Sequence, residues 1–208
     1  MQAPIAATAT PDNTTGKFVD AEHFVVEETI ETAIVTYNRA CTRLLNPPVW
    51  QQLTPGIDVT FKIAAQGKEA AHKLAEEGDY FMIDIPGPGP AAGQGYDWVK
   101  VETIEENTVP DTDDSLAMRL RAAANPNNPG EGVAHFFNQE ATSTFIIKRK
   151  GTKVTFSYHG RNEISNTGEV KLVDKIRNGV VALGAESGLS EVYWSKLVKG
   201  MLQKELGG

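Results

Sequence analysis

Five consecutive residues, His159-Gly160-Arg161-Asn162-Glu163, place an imidazole, a guanidinium, an amide and a carboxylate within one short stretch. In a functional reading Arg161 grips an anionic group bidentately, His159 exchanges a proton near neutral pH, and Glu163 orients one of them. Asn162 adds an adaptable amide. Asp97, in the strand after a glycine-rich loop, is a further candidate acid or base, so His159, Glu163 and Asp97 are the catalytic candidates. Arg161, Asn162, His159, Tyr158 and Trp98 are the ligand-binding candidates. A structural reading stands beside it, in which Arg161 pairs with Glu163 or Asp97 and His159 is solvated on the outer face of a sheet. Asp97 is then expected on the polar face that also carries Thr155, Ser157 and His159.

The elements that must position these groups are mostly strands. Residues 142–148 are rich in β-branched side chains. Over 153–159, Val154, Phe156 and Tyr158 alternate with Thr155, Ser157 and His159, which predicts a half-buried hairpin turning at Lys150-Gly151. Alternation also predicts strands over 57–63, 79–85, 96–104 and 115–122. The last of these sets Leu116, Met118 and Leu120 against Arg119 and Arg121. Residues 105–114 read as an exposed acidic turn and 68–77 as a short helix or a strand pair. The proline- and glycine-rich stretch 86–95 is a candidate lid or binding loop, and 124–130 is a second irregular loop. It leads into Val133-Ala134-His135-Phe136-Phe137, whose apolar density suggests a return to the core.

Two regions change to helical period. From 20 to 45 the residues Val26, Ile30, Ala33, Ile34, Tyr37, Cys41 and Leu44 recur at three and four, with Asp20 as N-cap and Pro47-Pro48 beyond the end. The C-terminal part predicts a helix begun near Thr167 and ending near Gly184 or Gly188, and another capped by Ser190, with Tyr193, Trp194, Leu197, Val198, Met201 and Leu202 on one stripe. The sum is α+β: an antiparallel, curved sheet with an N-terminal helix and two C-terminal helices packed on one side. Residues 1–17 read as an extended arm and 18–208 as one α+β domain. In general outline this layout resembles helix-grip lipid-binding folds, with a cavity between helices and concave face. No motif of that family or of any other is present.

Composition narrows the function classes. The chain has 208 residues, one cysteine and a formal net charge of −7. The charge disfavours nucleic acid and anionic membrane as partners, and no apolar run is long enough to span a bilayer. The lone Cys41 excludes an internal disulfide and reads as a buried structural thiol. His23, His72, His135 and His159 lack zinc-site spacing, the aspartates near 111–114 lack the rest of a calcium loop, and no dinucleotide, phosphate-loop or nucleophile-elbow motif occurs. No cofactor and no metal is implied. The first reading is therefore a non-catalytic binding module for a small or extended ligand. Alternatives are an acid–base enzyme at a His159/Arg161/Glu163 pocket and a structural or protein-interaction domain, with a homodimer open. The expected location is the cytoplasm, with an exported mature protein left open.

Overall fold

The computed structural model describes residues 9–65, 67–86, 89–109, 112–166 and 191–205. Its strands are β1 (Lys17–Val26), β2 (Thr60–Ala65), β3 (Lys68–Glu69), β4 (Tyr80–Asp84), β5 (Asp97–Val109), β6 (Asp113–Ala122), β7 (Thr142–Lys150) and β8 (Lys153–Glu163). Its α-helices are α1 (Ile30–Leu44), the single turn α2 (Trp50–Leu53) and α3 (Glu191–Leu202). The strands form one antiparallel sheet in the order β1-β8-β7-β6-β5-β4-β2-β3.

One tryptophan reports how strongly this sheet bends. Strands β2 and β7 are four places apart in the sheet, which at the usual spacing is about 19 Å if flat. Yet Trp50 lies 4.9 Å from the ring of Phe61 on β2 and 5.2 Å from that of Phe145 on β7. Side chains from distant strands thus converge on one indole, and the inner face is concave. The period-two pattern supplies this face with Phe61, Ile63, Phe81, Val101, Met118, Phe145, Ile147, Val154 and Phe156, all buried. All three of these helices, among the described residues, close over it. Ala33, Tyr37, Ala40 and Leu44 of α1, and Tyr193, Leu197, Val198 and Met201 of α3, belong to the same core.

The helices are also tied to each other. Arg43 is buried on α1 and donates to the carbonyls of Gly200, Met201 and Gln203 at 3.1, 3.1 and 2.6 Å. A guanidinium set there satisfies the terminal carbonyls of α3 and opposes the negative end of its dipole.

Several boundaries differ from the sequence reading. The first helix begins at Ile30, behind a Thr29 capping box, and not at Asp20. Residues 17–26 form edge strand β1, because Val19, Ala21 and Val25 alternate onto the core while Phe18, Asp20, Glu22 and Phe24 point out. The acidic stretch is mostly strand: β5 runs to Val109 and β6 starts at Asp113. Within 68–77 only Lys68–Glu69 is strand, and the remainder is irregular, with Asp79 accepting from the Glu76 N–H at 2.8 Å. The expected helix begun near Thr167 and its neighbour's cap Ser190 lie outside the described residues, so α3 is the one C-terminal helix seen among them. Cys41 is half-buried, and burial pushes its thiol up to about 12, which keeps it protonated and inert.

Candidate functional site

The HGRNE stretch lies inside β8, not beyond it, and a β-bulge divides its groups between the two faces of the sheet. Opposite Lys17 and Val19 of β1 stand Glu163 and Gly160, so β8 carries one extra residue there. Asn162 is that break, with φ of 56° in the left-handed region. Without it Glu163 would point outward by alternation. With it, Glu163 turns to the concave face beside Tyr158, while His159 and Arg161 remain on the convex one. The structure therefore brings His159 and Arg161 together and separates both from Glu163.

On the convex face Asp20 is the hub. Its Oδ1 lies 2.6 Å from His159 Nδ1 and 2.8 Å from Arg161. Burial raises the Asp20 carboxyl, but Arg161 and His159 outweigh it and hold the group below its ordinary value. Arg161 thus pairs with Asp20, not with Glu163 or Asp97. His159 Nε2 also meets Ser157 Oγ at 3.1 Å, so Asp20, His159 and Ser157 stand in the series of a hydrolase relay. Strand β8 is paired on both sides, to β1 and to β7, so the backbone N–H groups near Ser157 are committed to ladders and form no oxyanion hole.

Asn162 binds the N-terminal segment. Its side-chain oxygen accepts from the N–H groups of Thr14 and Thr15 at 2.8 and 3.1 Å, and its amide donates to the Asp12 carbonyl at 3.1 Å. Further along, Ala9 is buried against Ala117 and Ile146 on the convex face. Asn162→Gly keeps the bulge geometry and removes these bonds. Its expected effect is a loss of about 1–2 kcal/mol and faster proteolysis between residues 9 and 16, read by limited digestion and mass spectrometry. Unchanged digestion would show that this side chain does not hold the segment.

The concave face carries a cavity. Trp50 and Trp194 form its helical wall, strands β2 and β4 to β8 its other side, and the loop between β6 and β7 closes it with His135, Phe136 and Phe137. The space among these groups, open solvent at the mouth included, is about 400 Å³, and only a water-sized part of it is enclosed. Its polar groups are few. Ser143 and Tyr158 meet there through their hydroxyls at 3.2 Å, and Tyr158 stacks on Trp194 with centroids 3.9 Å apart. The Glu163 carboxyl lies beside the Tyr158 hydroxyl, both reaching the space above the bare Cα of Gly160. Burial pushes Glu163 up to about 7, against the pull of Tyr158, Lys17 and Arg161, while Glu191 adds to the rise. Burial and Glu163 together raise Tyr158 well above its ordinary value. Gly160 leaves the space for this pair. A Cβ there would collide with Glu163 Oε1 and lie 2.9 Å from the Tyr158 hydroxyl.

Asp97 and Trp98 hold loops in place. Asp97 is buried at 1% exposure and accepts from the Phe136 N–H at 3.0 Å, on the opposite sheet face from His159. Asn166 grips the same loop through the carbonyls of Val133 and His135 at 3.1 and 3.2 Å. Trp98 points outward into a second small core with Ala64, Ala92 and Ala134, away from the cavity, because Val99 and Val101 already fill the inner face. Its indole donates to the Gly93 carbonyl at 3.0 Å. The described part of loop 86–95 therefore packs on the convex face and is no lid over this cavity. Of the candidate ligand contacts, Tyr158 alone lines it. Sequence reasoning missed Ser143, Trp50, Trp194 and the His135-Phe136-Phe137 run as its walls, although the apolar density at 133–137 did mark a segment returning to the core.

Among the described residues, no helix is long and apolar enough to cross a membrane. No family model matches the sequence, and no curated protein matches it. Solved structures with a similar chain trace include major latex-like protein 151 of Panax ginseng, 8% identical over 90% of this chain and 97% of that one, TM-score 0.40. A protein of Thermus thermophilus is 10% identical over 89% and 94%, TM-score 0.38. Truncated norcoclaurine synthase from Thalictrum flavum is 12% identical over 94% and 100%, TM-score 0.32. At these scores the likeness assigns neither family nor function.

Proposed function

We propose that the chain is a binding module for a compact, largely apolar ligand, held in the cavity between the concave sheet face and the helices. The observation that carries this reading is the chemistry of the lining: aromatic rings on most sides and a small hydroxyl pair, Ser143 and Tyr158, at one end. Such a cavity rewards apolar area and orients its occupant through one polar group. A His159/Arg161/Glu163 pocket has no such support, since the sheet lies between the carboxyl and the two basic groups.

A thermal-shift series with ethylbenzene, 4-ethylphenol, acetophenone and a polar control such as glucose tests the reading. A ligand that binds only the native state at about 100 times its Kd adds roughly 2.7 kcal/mol, or about 5–10 °C in Tm for a chain of this size. The aromatic compounds are expected to raise Tm and glucose to leave it unchanged. A flat response to all three aromatics would remove the case for a small-molecule site.

A further inference from the structure

The polar end of the cavity is a chain of three groups in series. Ser143 lines the cavity from β7, its hydroxyl meets that of Tyr158 at 3.2 Å with either oxygen able to donate, and the Glu163 carboxyl sits beside the Tyr158 hydroxyl at Gly160. Two features of β8 exist around this chain: the Asn162 bulge that turns Glu163 inward, and the bare Gly160 that leaves room for carboxyl and phenol side by side.

We propose that Ser143, Tyr158 and Glu163 form a relay whose hydrogen-bond direction follows the protonation of Glu163, so that the cavity offers its ligand an acceptor when Glu163 is ionised and a donor when it is neutral. An ionised Glu163 can only accept, so the Tyr158 hydroxyl donates to it, Ser143 donates to Tyr158, and the free lone pairs of Ser143 face the cavity. A neutral Glu163 has a hydrogen of its own, and in the relay it gives this to Tyr158, so that Tyr158 donates to Ser143 and the Ser143 proton faces the cavity. The neutral chain has three hydrogens, one on each group, and the ionised chain has two, both directed toward Glu163. The charged groups facing Glu163 are Lys17, opposite it on β1, Arg161 on its own strand and Glu191 at the start of α3. Their opposed signs and its burial set the change near neutrality, at about 7.

This reading rests on the proposed ligand cavity and specifies its occupant: an apolar molecule with one oxygen function, a carbonyl or ether below neutral pH and a hydroxyl above it. Three matched single-ring probes separate the cases on the full chain, with the fluorescence of Trp50 and Trp194 as the signal. Acetophenone accepts only, 4-ethylphenol can donate, and ethylbenzene does neither. Between about pH 5.5 and pH 8.5 the Kd of acetophenone is expected to rise about five-fold, the value of one hydrogen bond. That of ethylbenzene stays constant, and that of 4-ethylphenol is constant or falls. In Glu163→Gln the pH dependence disappears while ethylbenzene still binds. A second readout needs no ligand: in tyrosine-labelled protein the ¹³Cζ resonance of Tyr158, assigned with Tyr158→Phe, is expected to titrate near neutrality and to be flat in Glu163→Gln. A flat Tyr158 resonance, or an acetophenone affinity that does not change with pH while ethylbenzene binds, overturns the relay. If none of the probes binds, the cavity reading fails instead, and the Tyr158 titration still decides the relay.

Discussion

Replacing Trp50 with alanine is expected to lower stability by about 3–5 kcal/mol, read as the shift in urea midpoint. Trp50 has no exposed surface and touches Phe61, Phe81 and Phe145, so one ring bridges strands four places apart in the sheet. Its indole also donates to the Arg43 carbonyl at 2.8 Å, which ties α2 to the end of α1. Removal loses the burial and leaves a dry void continuous with the cavity, whose walls are too widely anchored to collapse. An apolar void of that kind takes up apolar guests. Added indole is therefore expected to restore part of the lost Tm in Trp50→Ala and to do less for the parent protein. A loss below about 1 kcal/mol, or no rescue by indole, would mean that the ring does not hold the curled sheet closed.

Much of the fold was legible because a half-buried strand writes its two faces into alternate residues. Val154-Phe156-Tyr158 and Leu116-Met118-Leu120 both face the core as that pattern demands. The pattern failed where two periods overlap. Val26, Ile30, Ala33 and Ile34 continue one helical stripe, and this hid a strand that ends at Val26 and whose inner residues, Val19, Ala21 and Val25, are of modest size. Alternation does not decide the direction of Trp98 either, because both faces of β5 are apolar there and the heavier side chain went to the face covered by a loop. The site was less legible than the fold. Residues 159–163 were marked by their chemistry, yet the single left-handed residue Asn162 reverses the direction of everything after it, and groups close in sequence ended on opposite faces. The cavity walls come from strands across the sheet, from α2 and α3 and from a loop, with no spacing to announce them. Proximity across a curled sheet is a tertiary property.

The bulge leaves a measurable electrostatic mark. Glu163 is buried at 6% exposure with its carboxyl raised to about 7, whereas an unfolded chain ionises near 4.5. A carboxyl raised on folding contributes stability that is complete below the unfolded value, because both states are then neutral. As pH climbs, the unfolded state ionises first and gains free energy that the native state does not, until the native group ionises as well. Stability from this residue therefore falls between about pH 4.5 and pH 7, by up to about 3 kcal/mol at 1.36 kcal/mol per unit. Asp20 acts with the opposite sign, since Arg161 and His159 hold it low, and its contribution is lost as pH falls. A Glu163→Gln variant keeps Asp20 and every other titrating group, so the difference between the two proteins isolates Glu163. Urea midpoints measured from about pH 4.5 to pH 8.5 are expected to diverge in favour of Glu163→Gln, most steeply between pH 5 and 7, and to run parallel above about pH 8. Curves parallel across the whole range would place the carboxyl in water, outside the Tyr158 pair, and the bulge would then serve only to anchor the N-terminal segment through Asn162.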